Sequence, residues 1–243
     1  MNAQAASSVF DKNKDHFGLR SPTGRTKQTH ALRRWLVLAA WPPELIELRR
    51  LLGRRSGKQV VARAAGVGLV EAAIGATAAI AEVKPEAVMF VGTAGLYPNR
   101  RPDLALAGTV AARRLVLSAD GVTTGDSYLP RALPATQDTT VALRRIAVAT
   151  GLLIADVACP LAITSRLAVG RRRRAPACDV ENLEAFAVAR AAAAAGLPFA
   201  AILGISNIVG PPAHEAWKRN ATRAAAAACR AALEVIERAT VRR

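Results

Sequence analysis

The sequence predicts a single-domain, three-layer α/β/α fold with a central, mixed and mostly parallel sheet. Short apolar segments of strand length alternate with alanine-rich segments of helical periodicity, an order typical of a sheet covered by helices on both faces. Of the 243 residues, 51% are hydrophobic but only 4% are aromatic, so Ala, Val, Leu and Ile have to build the core. A chain of this length can bury such a core in one domain.

The first predicted elements follow a polar N-terminal segment. Residues 1–32 are rich in polar and turn-forming residues, and we expect a flexible extension there, with the folded domain spanning 33–243. An apolar run over 35–40 predicts a strand, which a Trp-Pro-Pro turn ends. Helical spacing follows over 44–52.

The middle of the chain repeats this alternation. It predicts a strand over 58–65, an Ala-rich helix over 69–82, a buried strand over 88–91 and another strand over 107–117. The strand over 88–91 ends in a Gly-Thr-Ala-Gly turn, where small residues let a ligand approach the backbone. A long loop rich in Gly, Thr, Asp and Pro covers 119–137, and such loops often carry function.

The last third predicts helices and strands in close succession. In order, these are a helix over 139–150 with Gly151 after it, short strands over 152–158 and 161–164, a helix over 182–195 ended by Gly196, a strand over 199–205 and a final helix over 213–238. In such sheets, ligands bind at the carboxyl ends of the strands.

The net charge of +16 suggests nucleic acid or an anionic membrane as a partner. The positive charge is nevertheless scattered and not grouped beside aromatic residues, so we predict no nucleic-acid partner. The densest basic run, 171–174, is interpreted as a solvated loop.

The three cysteines have no metal-ligand spacing and are too few for a disulfide framework, so we predict reduced, buried thiols at Cys159, Cys178 and Cys229. No metal and no cofactor is predicted. The sequence shows neither a secretory signal nor an apolar membrane span, which predicts a cytoplasmic protein.

Three motifs resemble those of the nucleoside phosphorylase and nucleosidase superfamily, which cleaves the N-glycosidic bond of purine nucleosides. Gly92-Thr-Ala-Gly95 matches its Gly-Ser/Thr-Ala-Gly turn, Asn182-Leu-Glu-Ala185 its Glu-Met-Glu-Ala/Gly ribose motif, and Gly204-Ile-Ser-Asn207 its Ile-Ser-Asp/Asn motif. The Ser-Asn pair followed by Val-Gly, with Trp217 further on, is most similar to futalosine hydrolases of menaquinone biosynthesis. These enzymes remove hypoxanthine from futalosine, or adenine from its amino counterpart.

The resemblance implies a role for each matched residue. Glu184 is expected to accept hydrogen bonds from the vicinal ribose hydroxyls, and Glu44 to activate the attacking water. Each could instead be an ordinary first-turn glutamate favoured by the helix dipole, which is the role we assign to Glu181. The other expected substrate-binding residues are Gly92, Thr93, Ala94, Gly95, Asn182, Leu183 as an apolar floor or a core leucine, and Ser206.

Asn207 is the residue that distinguishes between bases. Related nucleosidases acting on 6-aminopurines carry Asp at this position, whereas an amide offers a donor and an acceptor. This favours a 6-oxopurine such as hypoxanthine, although a turn asparagine at a strand end is the alternative.

Two departures from the family pattern bear on the reaction. Residues 89–91 lack the arginine with which phosphorylases hold phosphate, so water is the expected nucleophile, and Leu203 stands where an arginine often occurs. A phosphate-dependent phosphorylase of adenosyl-hopanoid or methylthioadenosine type, and a catalytically weak nucleoside-binding relative, stay open as alternatives.

The resemblance also implies a homodimer or larger homo-oligomer. His214 is expected at the surface, and Trp217 either covers the site or belongs to the core.

Overall fold

Strands and helices alternate along the chain in the order that its apolar pattern predicts. The computed structural model describes residues 34–53, 59–98, 101–119, 121–122, 125–165 and 178–241. The predicted extension at 1–32 and the basic run at 171–174 lie outside these residues.

The described strands form one sheet. They are β1 (Trp35–Ala39), β2 (Val60–Ala64), β3 (Ala87–Leu96), β4 (Thr109–Ser118), β5 (Thr136–Asp138), β6 (Leu153–Pro160), β7 (Val180–Glu181) and β8 (Phe199–Ile208). The helices are α1 (Ile46–Leu52), α2 (Leu69–Val83), α3 (Val141–Ala149), α4 (Ala185–Ala194) and α5 (Ala213–Val241), and a 3-10 turn over Pro42–Leu45 precedes α1.

The sheet is mixed, with more parallel than antiparallel pairs. The strand order is β2-β1-β3-β7-β6-β4-β5, and β8 pairs with both β3 and β4. Because β7 and β6 connect β3 to β4 on one side and β8 connects them on the other, these five strands form a ring. The predicted fold class is confirmed, and the ring brings β3, β7 and β8 together at one end.

Helices cover both faces of the sheet, as the three-layer prediction requires. The side chains of α2 and α4 pack into one core cluster, and those of α1, α3 and α5 pack into the other. Helix α5 approaches β8 closely, since a Cβ added at Gly204 would lie 2.1 Å from the Ala224 carbonyl oxygen. Nearer the start of the helix, Asn220 Nδ2 donates to the Ser206 carbonyl at 3.0 Å, which holds this part of α5 beside the end of β8.

Several predicted boundaries are wrong. The Gly-Thr-Ala-Gly segment lies inside β3, and Ser206 and Asn207 lie inside β8, because Gly95 pairs with Asn207 and keeps both segments extended. The predicted helix over 182–195 begins only at Ala185. The 119–137 segment ends in β5, which pairs with β4.

The predicted strand over 161–164 is also absent from the structure. The main-chain N–H of Thr164 donates to the Glu181 side chain at 3.1 Å and not to a neighbouring strand. In the described part of the chain, none of the helices combines the length and apolarity needed to span a membrane.

Candidate active site

A cavity of about 360 Å³ opens where β1, β3 and β8 end. It is lined by nearly every residue that the motifs single out, namely Glu44, Thr93, Ala94, Gly95, Asn182, Leu183, Glu184, Ser206 and Asn207. Gly92 lies just beneath it, because a Cβ at this position would be 3.5 Å from Glu44 Oε1. Segments separated by more than a hundred residues therefore meet at one site.

Glu44 lies in the 3-10 turn after β1, and its carboxylate points back towards the strand ends. Its Oε1 accepts hydrogen bonds from the N–H and the hydroxyl of Thr93, at 3.2 and 3.4 Å, and its Oε2 accepts from the N–H of Ala40 at 3.1 Å. Burial and then the nearby Glu184 charge raise the pKa of Glu44 to about 7, against the lowering effect of the backbone donors. Near neutral pH the carboxyl group can therefore both take and release a proton.

Glu184 is the N-cap residue of α4, and it is buried in the lining of the cavity. Its Oε1 accepts a hydrogen bond from the N–H of Gly68, 3.0 Å away, and burial raises its pKa. The Gly-Val-Gly turn before α2 thus holds this carboxylate by its backbone.

Asn182 uses both ends of its amide to join β3 to the start of α4. Its Oδ1 accepts from the N–H groups of Glu184 and Ala185, at 3.0 and 2.8 Å, and its Nδ2 donates to the Thr93 carbonyl at 3.0 Å. Although Asn182 lines the cavity, these contacts make it the support that fixes Glu184 relative to Thr93.

Asn207 faces the cavity from β8, and Ser206 sets the orientation of its amide. The Ser206 hydroxyl lies 2.8 Å from Asn207 Oδ1 and 3.2 Å from the Ala94 carbonyl, and donation along the shorter contact leaves the amide NH₂ group as the donor, with the Ile208 carbonyl 3.3 Å from Nδ2. Gly95 permits this position, because a Cβ there would lie 3.0 Å from Asn207 Nδ2. The strand register shifts between Ala94 and Gly95, and such irregularities redirect side chains.

Glu181 is a third buried carboxylate in the cavity, and its predicted helix-dipole role is wrong. It lies in β7, where it pairs with Gly95, so it is not at a helix start. Its Oε2 accepts from the Tyr97 hydroxyl at 2.8 Å, and Thr164 donates to it through both its N–H and its hydroxyl. Burial and then the Glu181 charge raise the pKa of Tyr97.

Three aromatic residues form the rim of the cavity. The indole of Trp217 stacks on His214, with ring centroids 5.9 Å apart, and lies 6.3 Å from the ring of Trp41. His214 is exposed, as predicted, but it also lines the cavity, and Trp217 is a wall residue and not a core residue. Sequence reasoning missed Trp41, whose only signal is its place between β1 and the Pro-Pro pair.

Among the described residues that line the cavity, none is lysine or arginine. Leu203 is completely buried in the core, so no cationic group replaces the arginine at this point of β8. Nor do the His, Cys, Asp and Glu side chains in the described part of the chain form a group that could hold a metal ion. All three cysteines are buried and outside any disulfide, as predicted.

The fold and this cavity define the class of protein. A family model described as the Phosphorylase superfamily matches residues 41–237, which is most of the chain, and the chain belongs to that superfamily. No curated protein sequence matches it significantly.

Solved structures agree with this assignment at the level of the fold. The chain is similar to a mutant of the Helicobacter pylori methylthioadenosine/S-adenosylhomocysteine nucleosidase crystallised with 5'-methylthioadenosine in the active site, at a TM-score of 0.73, 16% identity and coverage of 85% of this chain and 99% of that one. It is similar to the futalosine hydrolase of Helicobacter pylori at a TM-score of 0.73, 16% identity and coverage of 85% and 98%. The corresponding nucleosidase of Neisseria meningitidis gives a TM-score of 0.70, 19% identity and coverage of 85% and 100%.

The raised pKa of Glu44 predicts a specific pH dependence of stability. Because its pKa rises from 4.5 to about 7 on folding, the protonated form is favoured in the folded state. The contribution of Glu44 to the free energy of unfolding is complete below pH 4.5. It falls by about 3 kcal/mol as the pH rises from 4.5 through 7. Urea unfolding of the wild type and of Glu44→Gln at several pH values measures the free energy of unfolding of each protein. The wild type should lose this stability relative to the variant as the pH rises, and parallel pH profiles of the two proteins would contradict the prediction.

Proposed function

We propose that the protein is a purine nucleosidase, which hydrolyses the N-glycosidic bond of a purine nucleoside. The observation that supports this best is the convergence of Glu44, Glu184 and Asn207 in one cavity without a lysine or arginine among its described lining residues. These groups match the needs of the reaction, namely a water, a ribose and a leaving base.

In this proposal, Glu184 binds the ribose. Gly68 occupies one position on Oε1, and the carboxylate still offers acceptor positions to two neighbouring hydroxyls. Asn182 fixes the backbone of Glu184, so the carboxylate is oriented before substrate binds. Leu183, which lines the same cavity, provides an apolar surface beneath the sugar.

Glu44 is the proposed general base. The water oxygen bonds to C1′ of the ribose, the bond from C1′ to the purine nitrogen breaks with its electron pair leaving on the base, and the water proton passes to Glu44. A general base is most effective when its pKa lies near the working pH, and the pKa of Glu44 is about 7. The donors from Thr93 and Ala40 hold the carboxylate in place.

Asn207 stabilises the departing base in this scheme. With its Oδ1 engaged by Ser206, the amide presents N–H to an acceptor such as purine N7 or O6. Hydrogen bonds donated to these atoms stabilise the negative charge that develops on the base. This supports a 6-oxopurine, with hypoxanthine as the proposed product.

Two observations favour water over phosphate as the nucleophile. The described lining of the cavity contains no lysine or arginine to neutralise phosphate, and it contains three carboxylates, Glu44, Glu181 and Glu184, that would repel it.

The Ser-Asn and Val-Gly motifs, together with the likeness to the Helicobacter pylori futalosine hydrolase, support a futalosine-like substrate and a place in menaquinone biosynthesis. The homodimer or larger assembly expected from the sequence stays part of this proposal.

The direct test is release of free purine. The protein is incubated with futalosine, inosine and methylthioadenosine, with and without phosphate, and free base is followed by chromatography. We expect release of hypoxanthine without phosphate, with futalosine the best substrate. No release from any of the three would reject the proposal, and turnover strictly dependent on phosphate would identify a phosphorylase.

Substitutions of Glu44 and Glu184 should affect different kinetic constants. Glu44→Gln should lower kcat by at least about 100-fold, because an amide cannot accept the water proton. Glu184→Gln should raise KM by about tenfold or more, because it weakens the acceptor for the ribose hydroxyls. Steady-state kinetics measures both, with Glu234→Gln on the exposed face of α5 as the matched control. Wild-type kinetics in both cavity variants would refute the site assignment.

Asn207→Asp should change the preference between bases. A carboxylate repels O6 of hypoxanthine but accepts from the 6-amino group of adenine, so the ratio of kcat/KM for 6-oxo over 6-amino nucleosides should fall by about tenfold. Paired assays with futalosine and its amino counterpart provide the ratio. An unchanged ratio would remove the argument for hypoxanthine.

A further inference from the structure

We propose that Trp217 is a positioning residue for the reaction, because its indole N–H directs the Thr93 hydroxyl onto the Glu44 carboxylate. The inference rests on the proposed function, in which Glu44 activates the water. It adds a role for the cavity rim that goes beyond enclosing the substrate.

The three groups form a continuous hydrogen-bonded chain. Trp217 Nε1 lies 3.2 Å from Thr93 Oγ1, and Thr93 Oγ1 lies 3.4 Å from Glu44 Oε1. The indole N–H can only donate, so the Thr93 oxygen has to accept from it with a lone pair. The single hydroxyl proton of Thr93 is then directed towards Glu44, where the N–H of the same residue also donates, at 3.2 Å.

The chain consists of neutral donors, and this matters for a general base. A cation beside Glu44 would stabilise the ionised form and make it a poor proton acceptor at neutral pH. Among the described residues, the groups that face Glu44 are the Glu184 carboxylate at the start of α4, the Thr93 donors from β3, the backbone after β1, and the Cys229 thiol of α5, which donates to the Glu44 carbonyl at 3.1 Å. Trp217 and Thr93 therefore fix the direction of the carboxylate without adding charge.

The position of the indole is itself fixed from two sides. It stacks on His214, with 12° between the ring planes, and it lies in the first turns of α5, where Asn220 Nδ2 donates to the Ser206 carbonyl at 3.0 Å. Trp217 also lines the cavity. A substrate that contacts the indole therefore stabilises the hydrogen-bonded chain that orients Glu44. Substrate contact at the rim and orientation of Glu44 are thus linked.

The test removes the donor and keeps an aromatic ring. Trp217→Phe is compared with Trp35→Phe, a matched control, since Trp35 is completely buried and its Nε1 has no hydrogen-bond partner among the described residues. In the ligand-free proteins, the pKa of Glu44 is followed by its carboxyl ¹³C shift. It should rise by about half a pH unit in Trp217→Phe, as loss of a weak donor predicts, and stay unchanged in Trp35→Phe.

Kinetics provides the second measurement. Trp217→Phe should lower kcat about fivefold, the rate equivalent of one neutral hydrogen bond, with a smaller effect on KM. Thr93→Val should lower kcat at least as much, whereas Thr93→Ser retains the hydroxyl and should keep most of the rate. Because both residues act through the same hydrogen-bonded chain, adding Trp217→Phe to Thr93→Val should lower kcat little further.

An unchanged pKa of Glu44 in Trp217→Phe, or rate losses that multiply in the double variant, would overturn the proposal. The two measurements also separate it from the function on which it rests. If the wild type releases no purine, the proposed function fails, whereas the ¹³C titration still decides whether the indole positions Glu44.

Discussion

The carboxyl end of β3 is paired on both sides, and the site depends on this double pairing. Gly95 lies opposite Asn207 of β8 and opposite Glu181 of β7, so the side chains of these two residues flank one glycine in a single row across three strands. Because β8 also pairs with β4, the row is part of a ring of strands. A shift of any one strand relative to one neighbour would therefore break the hydrogen-bonded pairs with its other neighbour. The positions of these side chains are strongly determined for this reason.

The electrostatics of the cavity follow from buried carboxylates that the described residues contact only through neutral donors. Glu44, Glu181 and Glu184 are all buried, and among the described residues the groups that donate to them are backbone N–H groups, hydroxyls and one phenol. Neutral donors orient a carboxylate but compensate its desolvation only in part, which is why the pKa values of Glu44 and Glu184 rise. At least one of these carboxylates, Glu44, therefore exchanges protons near neutral pH.

The sequence predicts the layers and most site residues, because these depend on local patterns. Periodicity places α2 and α5 within a few residues, and the three motifs name residues that meet in the cavity. What it misses depends on distant partners. The Gly-Thr-Ala-Gly segment has the composition of a turn, yet neighbouring strands keep it extended, and Glu181 acquires its role through Tyr97, 84 residues away in the chain.

Helix α5 contacts the site at three levels along its length. Trp217 donates to Thr93, Asn220 donates to the main chain at the end of β8, and the Cys229 thiol, twelve residues after Trp217, donates to the main chain of Glu44. A single helix thus connects the rim of the cavity, the end of β8 and the turn that carries Glu44. Because the strands are held in the ring, a shift of α5 would disturb its contacts with Thr93, Ser206 and Glu44 together.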